Sequence, residues 1–111
     1  MQLMAEDKGE FLLVSALGDR IDAAGAIQFK DQMRDLTQNQ KGRVLLDMSQ
    51  VSFLDSSGLG AVVAVLKAMG PDRKLELACL TATVQKVFRL TRMDTVFTIH
   101  AEVPGGLRHA G

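Results

Sequence analysis

The chain has 111 residues, 47 % of them hydrophobic, which is enough for one domain built on one core. Lys+Arg 13 balance Asp+Glu 13, and Trp and Tyr are absent, so neither a basic stripe nor an aromatic stacking platform for nucleic acid is present. One cysteine, Cys79, rules out an intramolecular disulfide and reads as a small hydrophobe on a buried strand.

The opening "MQLMAEDKGE" lacks the basic and apolar regions of a signal peptide, and no apolar run is long enough to span a bilayer. A cytoplasmic protein without membrane insertion is the expectation. Residues 2–7 and 10–17 read as two strands joined by the turn "DKGE", a β-hairpin. The next segment offers Asp22 as an N-cap and puts Ala26, Phe29, Met33 and Leu36 on one side at helical spacing. It should stop around "NQKG", with Gly42 as terminator.

"RVLLDMS" is a continuous apolar run, the pattern of a strand covered on both faces. A second helix is expected from Gly58 to Met69, ended by "GPD", and "KLELAC" reads as a further strand. Thr81 or Thr83 caps a third helix in which Val84, Val87, Phe88 and Thr91 share a face, and "TVFTIH" closes the set as a strand. This alternation predicts one α/β domain over 1–111, with a core at about 10–100. The sheet is mixed, of about five strands: a hairpin first, then parallel strands, with helices mainly on one side. The end, 102–111, is rich in Gly and small residues and reads as a loose tail.

The stretch that calls for explanation is "SFLDSSGLG", Ser52 to Gly60. A nucleophile elbow needs glycine two residues before and after its serine. Around Ser57 those places hold Asp55 and Leu59, and around Ser56 they hold Leu54 and Gly58, so a serine hydrolase is disfavoured. "GLG" lacks the remaining spacing of a nucleotide turn, and Asp47 and Asp55 have no His or Cys at metal-ligand spacing. The plainest role is a helix start, with Asp55 or Ser56 accepting from the first free N–H groups, worth about 1 kcal/mol. One cap leaves the second serine unexplained. It also leaves Gly58 and Gly60 unexplained, since each glycine costs roughly 0.8–1 kcal/mol inside a helix. Bare residues there would let a partner approach a serine hydroxyl closely. Behind the serines, Leu59, Val62, Val63, Leu66 and Met69 read as the inward stripe. Ala61, Ala64, Val65 and Ala68 then make a small apolar outer face suited to docking.

"RVLLDMSQVSFLDSSGLGAVVAVLKAM", with "GDRIDAAGAIQFKDQM" before it and "LELACLTATVQKVFRLTRMDTVFTIH" after it, closely resembles STAS domains, specifically bacterial anti-sigma-factor antagonists. The likeness covers roughly residues 10 to 100. It implies a non-enzymatic switch protein. The unmodified form binds an anti-sigma factor that is also a serine kinase of the GHKL type and so frees the sigma factor; phosphorylation breaks the complex and a metal-dependent serine phosphatase restores it. The resemblance implies Ser57 as the phosphorylated residue, with Ser56 as runner-up. The second serine, the paired glycines and the small outer face of the helix put the expected partner surface at Asp55, Ser56, Ser57, Gly58, Leu59, Gly60, Ala61, Ala64, Val65 and Ala68. No cofactor is implied, since ATP and Mg would belong to the kinase. Family members usually end in another helix, which "VPGGLRHAG" does not predict. STAS domains also serve as transporter or stress-complex subunits and as small-ligand or nucleotide binders, and these are the alternative roles.

Overall fold

The computed structural model describes residues 1–40 and 42–104. A five-stranded sheet in the order β1-β2-β4-β6-β7 forms the centre. Strands β1 (Gln2–Asp7) and β2 (Phe11–Leu17) pair antiparallel as the expected hairpin. Its turn is closed by the Asp7 carboxylate, which accepts from Gly9 N–H at 2.8 Å, with Gly9 at φ +89°. Strands β4 (Arg43–Asp47), β6 (Lys74–Ala78) and β7 (Ile99–His100) then add in parallel.

Side chains alternate across this sheet. Leu12, Val14, Ala16, Val44, Leu46, Leu75 and Leu77 face the main core. That core also holds the buried residues of α1 (Ala26–Thr37), α2 (Ser56–Met69) and α3 (Ala82–Leu90), so the helices lie on one side. The other face carries a smaller cluster of Phe11, Leu13, Leu45 and Ala78, and "RVLLD" is apolar on both sides because both faces are covered. Val103 joins this second cluster at 2 % exposure, so the start of the stretch read as a loose tail is packed; 105–111, and any closing helix, fall outside the described residues.

Several boundaries differ from the sequence reading. Helix α1 starts at Ala26 behind Gly25 with no side-chain cap, because the Asp22 carboxylate closes a turn onto Gly25 N–H at 3.1 Å instead. It ends at Thr37, ahead of Gly42, whose φ of +95° belongs to the connection into β4. Thr81, rather than Thr83, caps α3, accepting from Val84 N–H at 3.4 Å. "TVFTIH" is mostly a 3₁₀ turn (Met93–Thr95) and loop, with only Ile99–His100 in the sheet. Cys79 follows β6 at φ +62°, half-buried rather than within a strand. A short parallel pair, β3 (Arg20–Ile21) with β5 (Phe53–Leu54), was not anticipated, and it positions the serine turn.

Candidate functional site: the first turn of helix α2

Strand β5 leads directly into α2, and β3 holds it from the side. Asp19 C=O accepts from Ser52 N–H at 2.8 Å and Phe53 N–H at 3.1 Å, and Thr81 Oγ1 donates to Val51 C=O at 2.8 Å. Asp55 is the N-cap, with one carboxylate oxygen accepting from Gly58 N–H at 2.8 Å. The other accepts from Ala23 N–H at 3.2 Å, so a single carboxylate starts α2 and ties it to the loop before α1.

With capping done by Asp55, Ser56 and Ser57 are the first two residues of the helix, which therefore begins two residues before the expected Gly58. Both are exposed, and neither hydroxyl has a hydrogen-bond partner among the described residues. First-turn N–H groups have no intrahelical acceptor, so the hydroxyls stand at the positive end of the helix dipole.

The two glycines serve different ends. A Cβ on Gly58 would overlap the Ile21 carbonyl and reach 2.9 Å from Leu54 Cδ1, so its bareness is used up by the close approach of β3. A Cβ on Gly60 would meet nothing within 4 Å, and the residue remains exposed. Of the two glycines, only Gly60 leaves the surface of the first turn open; Gly58 is filled by β3.

The orientation of α2 also needs correction. Its buried residues are Gly58, Ala61, Val62, Val65 and Met69, so Ala61 (3 % exposed) and Val65 (6 %) do not belong to an outer face. At 3.6 residues per turn this inward line sits about a quarter turn from the one read off the large side chains. Close contact with β3 selects small residues at the centre of the packed face, and Leu59, Val63 and Leu66 fill its margin, partly buried against the core. Ala64 is half-buried, while Ala68 and Lys67 are exposed.

Two neighbours of the turn were not singled out from the sequence. Phe53 is 42 % exposed just before Asp55, and the Arg20 guanidinium lies 4.8 Å from its ring centroid. Arg20 also sits 3.8 Å from Asp22. The signal was present in "SFLDSSG": an aromatic residue on a two-residue strand whose other residue, Leu54, is buried. Among the described residues no cluster of His, Cys, Asp or Glu could hold a metal ion, and no helix is long and apolar enough to cross a membrane.

The family model for the STAS domain matches residues 2–105. The chain belongs to the STAS domain family. It is 26 % identical over 94 residues to the proposed anti-sigma factor antagonist BtrV of Bordetella bronchiseptica, covering 84 % of this chain and 81 % of that one. An anti-sigma factor antagonist from Mycobacterium paratuberculosis superposes with a TM-score of 0.83 at 21 % identity, over 96 % of this STAS domain and 90 % of that chain. The Bacillus cell fate determinant SpoIIAA in its phosphorylated form matches at 0.62 and 19 % identity, covering 99 % and 100 %. The murine anion transporter Slc26a9 matches at 0.77 and 16 % identity, over 95 % of this chain but 18 % of the transporter.

Proposed function

We propose that this STAS domain is an anti-sigma-factor antagonist working as a phosphorylation-controlled partner switch. The unmodified form binds an anti-sigma factor that is also a serine kinase of the GHKL type, releasing the sigma factor. Phosphorylation of Ser57 dissociates the complex, and a metal-dependent serine phosphatase restores it. The protein is a substrate of the kinase and not itself a catalyst, and it acts in the cytoplasm.

The observation that carries this reading is the division of labour at the turn. Asp55 performs all the capping, which leaves two exposed, unbonded serine hydroxyls beside an open glycine. A phosphoserine adds about −1.5 to −2 charge with three acceptor oxygens. At a helix N-terminus that charge gains typically 0.3–1 kcal/mol, offset by repulsion from Asp55, so the fold is retained. Against a docked partner the same dianion would be buried unpaired, at a cost of several kcal/mol. The partner surface, as corrected by burial, comprises Asp55, Ser56, Ser57, Leu59, Gly60, Ala64 and Ala68, extended by Phe53. Gly58 and Ala61 act behind it as packing residues.

Support for this role comes from a relative proposed to be an anti-sigma factor antagonist, from a structural neighbour named as one, and from SpoIIAA having a phosphorylated form. The transporter match supports a second reading, a STAS subunit of a larger assembly, but such a scaffold has no need of two free hydroxyls at this turn. The test is to incubate the protein with the anti-sigma kinase and ATP and map the modified residue. Phosphate on Ser57 is expected; modification that persists in Ser57→Ala overturns the assignment.

A further inference from the structure

Helices α1 and α2 pack side by side, yet between their outer edges runs a groove of about 330 Å³. Its floor is Val65 and Met69, and Ala64 and Ala68 form a low wall on the α2 side. The opposite wall is Lys30 and Arg34 of α1, and Arg73 closes the far end. No carboxylate lines it.

The cations around this groove are unequally engaged. Lys30 has no ion-pair partner among the described residues. Arg73 bonds carbonyls only: Met69 C=O at 3.1 Å, Thr37 C=O at 2.6 Å and Gln40 C=O at 3.4 Å. It thereby ties the C-terminal ends of both helices while keeping its charge uncompensated. Arg34 reaches Asp31 at 3.3 Å and Asp35 at 3.7 Å, both exposed pairs that water and salt weaken. An apolar floor between Lys30 and Arg73, which have no carboxylate partner among the described residues, and the weakly paired Arg34 fits an occupant that is apolar along one edge and acidic along the other.

The groove is continuous with the serine turn. At 3.6 residues per turn, Ala64 and Ala68 stand seven and eleven residues after Ser57, on nearly the same line along α2. On α1, Ile27, Lys30 and Arg34 share a line in the same way, and Ile27 is 70 % exposed in the first turn. An elongated segment lying between the helices therefore reaches Ser57 at its N-terminal end.

We propose that this groove seats an acidic, amphipathic segment of the anti-sigma partner, a deepening that rests on the function proposed above. The small Ala64 and Ala68 side chains admit the segment's apolar edge, while Lys30 and Arg34 select its carboxylates. The volume holds a few side chains, which suits a segment rather than a folded domain. Electrostatic complementarity of this kind acts on encounter rate and on the choice among partners. A phosphate on Ser57 places negative charge at the mouth through which an acidic segment enters, so modification and partner selection reinforce each other.

The test has two arms on the full chain. In the first, the isotopically labelled protein is titrated with a short helical peptide of Glu, Leu and Ala, with its Lys-for-Glu counterpart, and with ATP. The acidic peptide should shift the amide signals of Lys30, Ala64 and Ala68, with a response that fades as salt is added, while the other two leave them in place. Equal shifts from the basic peptide, shifts from ATP instead, or none from the acidic peptide overturn the proposal. In the second, binding to the purified anti-sigma kinase is compared for wild type, Ser57→Glu, and the double variant Lys30→Glu with Arg34→Glu. The double variant, whose two changes are on the surface, should lose about tenfold or more, and Lys30→Arg should retain affinity. Full affinity in the double variant alongside loss in Ser57→Glu removes the groove from the interface and leaves the switch standing. A wild-type chain that never binds the kinase overturns the switch itself and the kinase as source of the segment, and the peptide arm then decides the groove's chemistry alone.

Discussion

At the first turn of α2, two hydroxyls stand in solvent with no hydrogen-bond partner among the described residues, whereas on the helix-free face of the sheet the Glu76 carboxylate is fully engaged. There Arg43 of β4 donates from Nε and Nη2 to the two carboxylate oxygens of Glu76 on β6, both at 2.9 Å. His100 of β7 brings Nε2 to 2.7 Å from the same carboxylate, and the Arg43 guanidinium lies 5.6 Å from the Phe11 ring centroid on β2. Four neighbouring strands are thus joined by one polar cluster in which Glu76 is buried. Both regions are polar and both sit beside apolar packing. The difference is saturation: bonded groups on the sheet hold the fold, and unbonded groups on the helix remain available to something else.

Substitutions that confuse the two regions should have the largest effects. Gly58→Ala drives a methyl group into the Ile21 carbonyl, and backbone on both sides leaves little room to yield. A loss of about 3 kcal/mol or more in chemical denaturation is expected, as for severe overpacking. Gly60→Ala, two residues on and with free space around it, should be neutral to stabilising by up to about 1 kcal/mol. Similar effects at the two glycines would mean that β3 does not press on the turn as described.

Next in size is Glu76→Gln, which strands the Arg43 charge. Breaking a buried pair costs 3–5 kcal/mol; with Arg43 partly exposed, about 2 kcal/mol is expected. The Arg43 hydrogen bonds hold the Glu76 carboxyl below its usual range against the opposing effect of burial, and His100 adds to the lowering. Its stabilisation is therefore complete above the ordinary carboxylate pKa and is lost as pH falls through the depressed folded value. Acid titration of stability should be less steep in Glu76→Gln than in wild type; identical acid limbs would show that the pair is not coupled to folding. Smaller again is Asp55→Ala, which removes bonds to Gly58 and Ala23 and should cost 1–2 kcal/mol, with Asp55→Asn recovering part of it.

The hairpin, the doubly covered strand and the three helices were legible because each rests on local periodicity and turn chemistry. The inner face of α2 was not. Its centre is set by how closely β3 approaches, and a hydrophobic pattern weighted by side-chain size pointed to Leu59 and Leu66 rather than Gly58 and Ala61. Strands β3 and β5 were missed for a related reason: two residues each carry no period, and only their mutual pairing makes them strands. Asp22 looked like a cap and closes a turn instead, because an Asx turn and an N-cap use the same side chain at nearly the same spacing. At the site, the serines and the acidic cap were readable, whereas Phe53, Arg20 and the cations of the α1–α2 groove required the tertiary arrangement.

The smallest expected change in stability comes at the residue with the largest expected change in binding. Ser57→Glu adds a negative charge to the first turn of α2, where the helix dipole favours it by 0.3–1 kcal/mol and Asp55 opposes it by a comparable amount. The native hydroxyl has no partner to lose. The unfolding free energy should therefore change by no more than about 0.5 kcal/mol, the range of ordinary surface substitutions. In a partner interface the same carboxylate would be desolvated without a counter-charge, and each 1.4 kcal/mol of that cost is tenfold in affinity. Denaturation and kinase titration on one preparation separate the two quantities. A sharp fall in stability with affinity preserved would place Ser57 among the bonded groups of the fold, on the same side of the comparison as Glu76. Stable protein that no longer binds would keep it with the available ones.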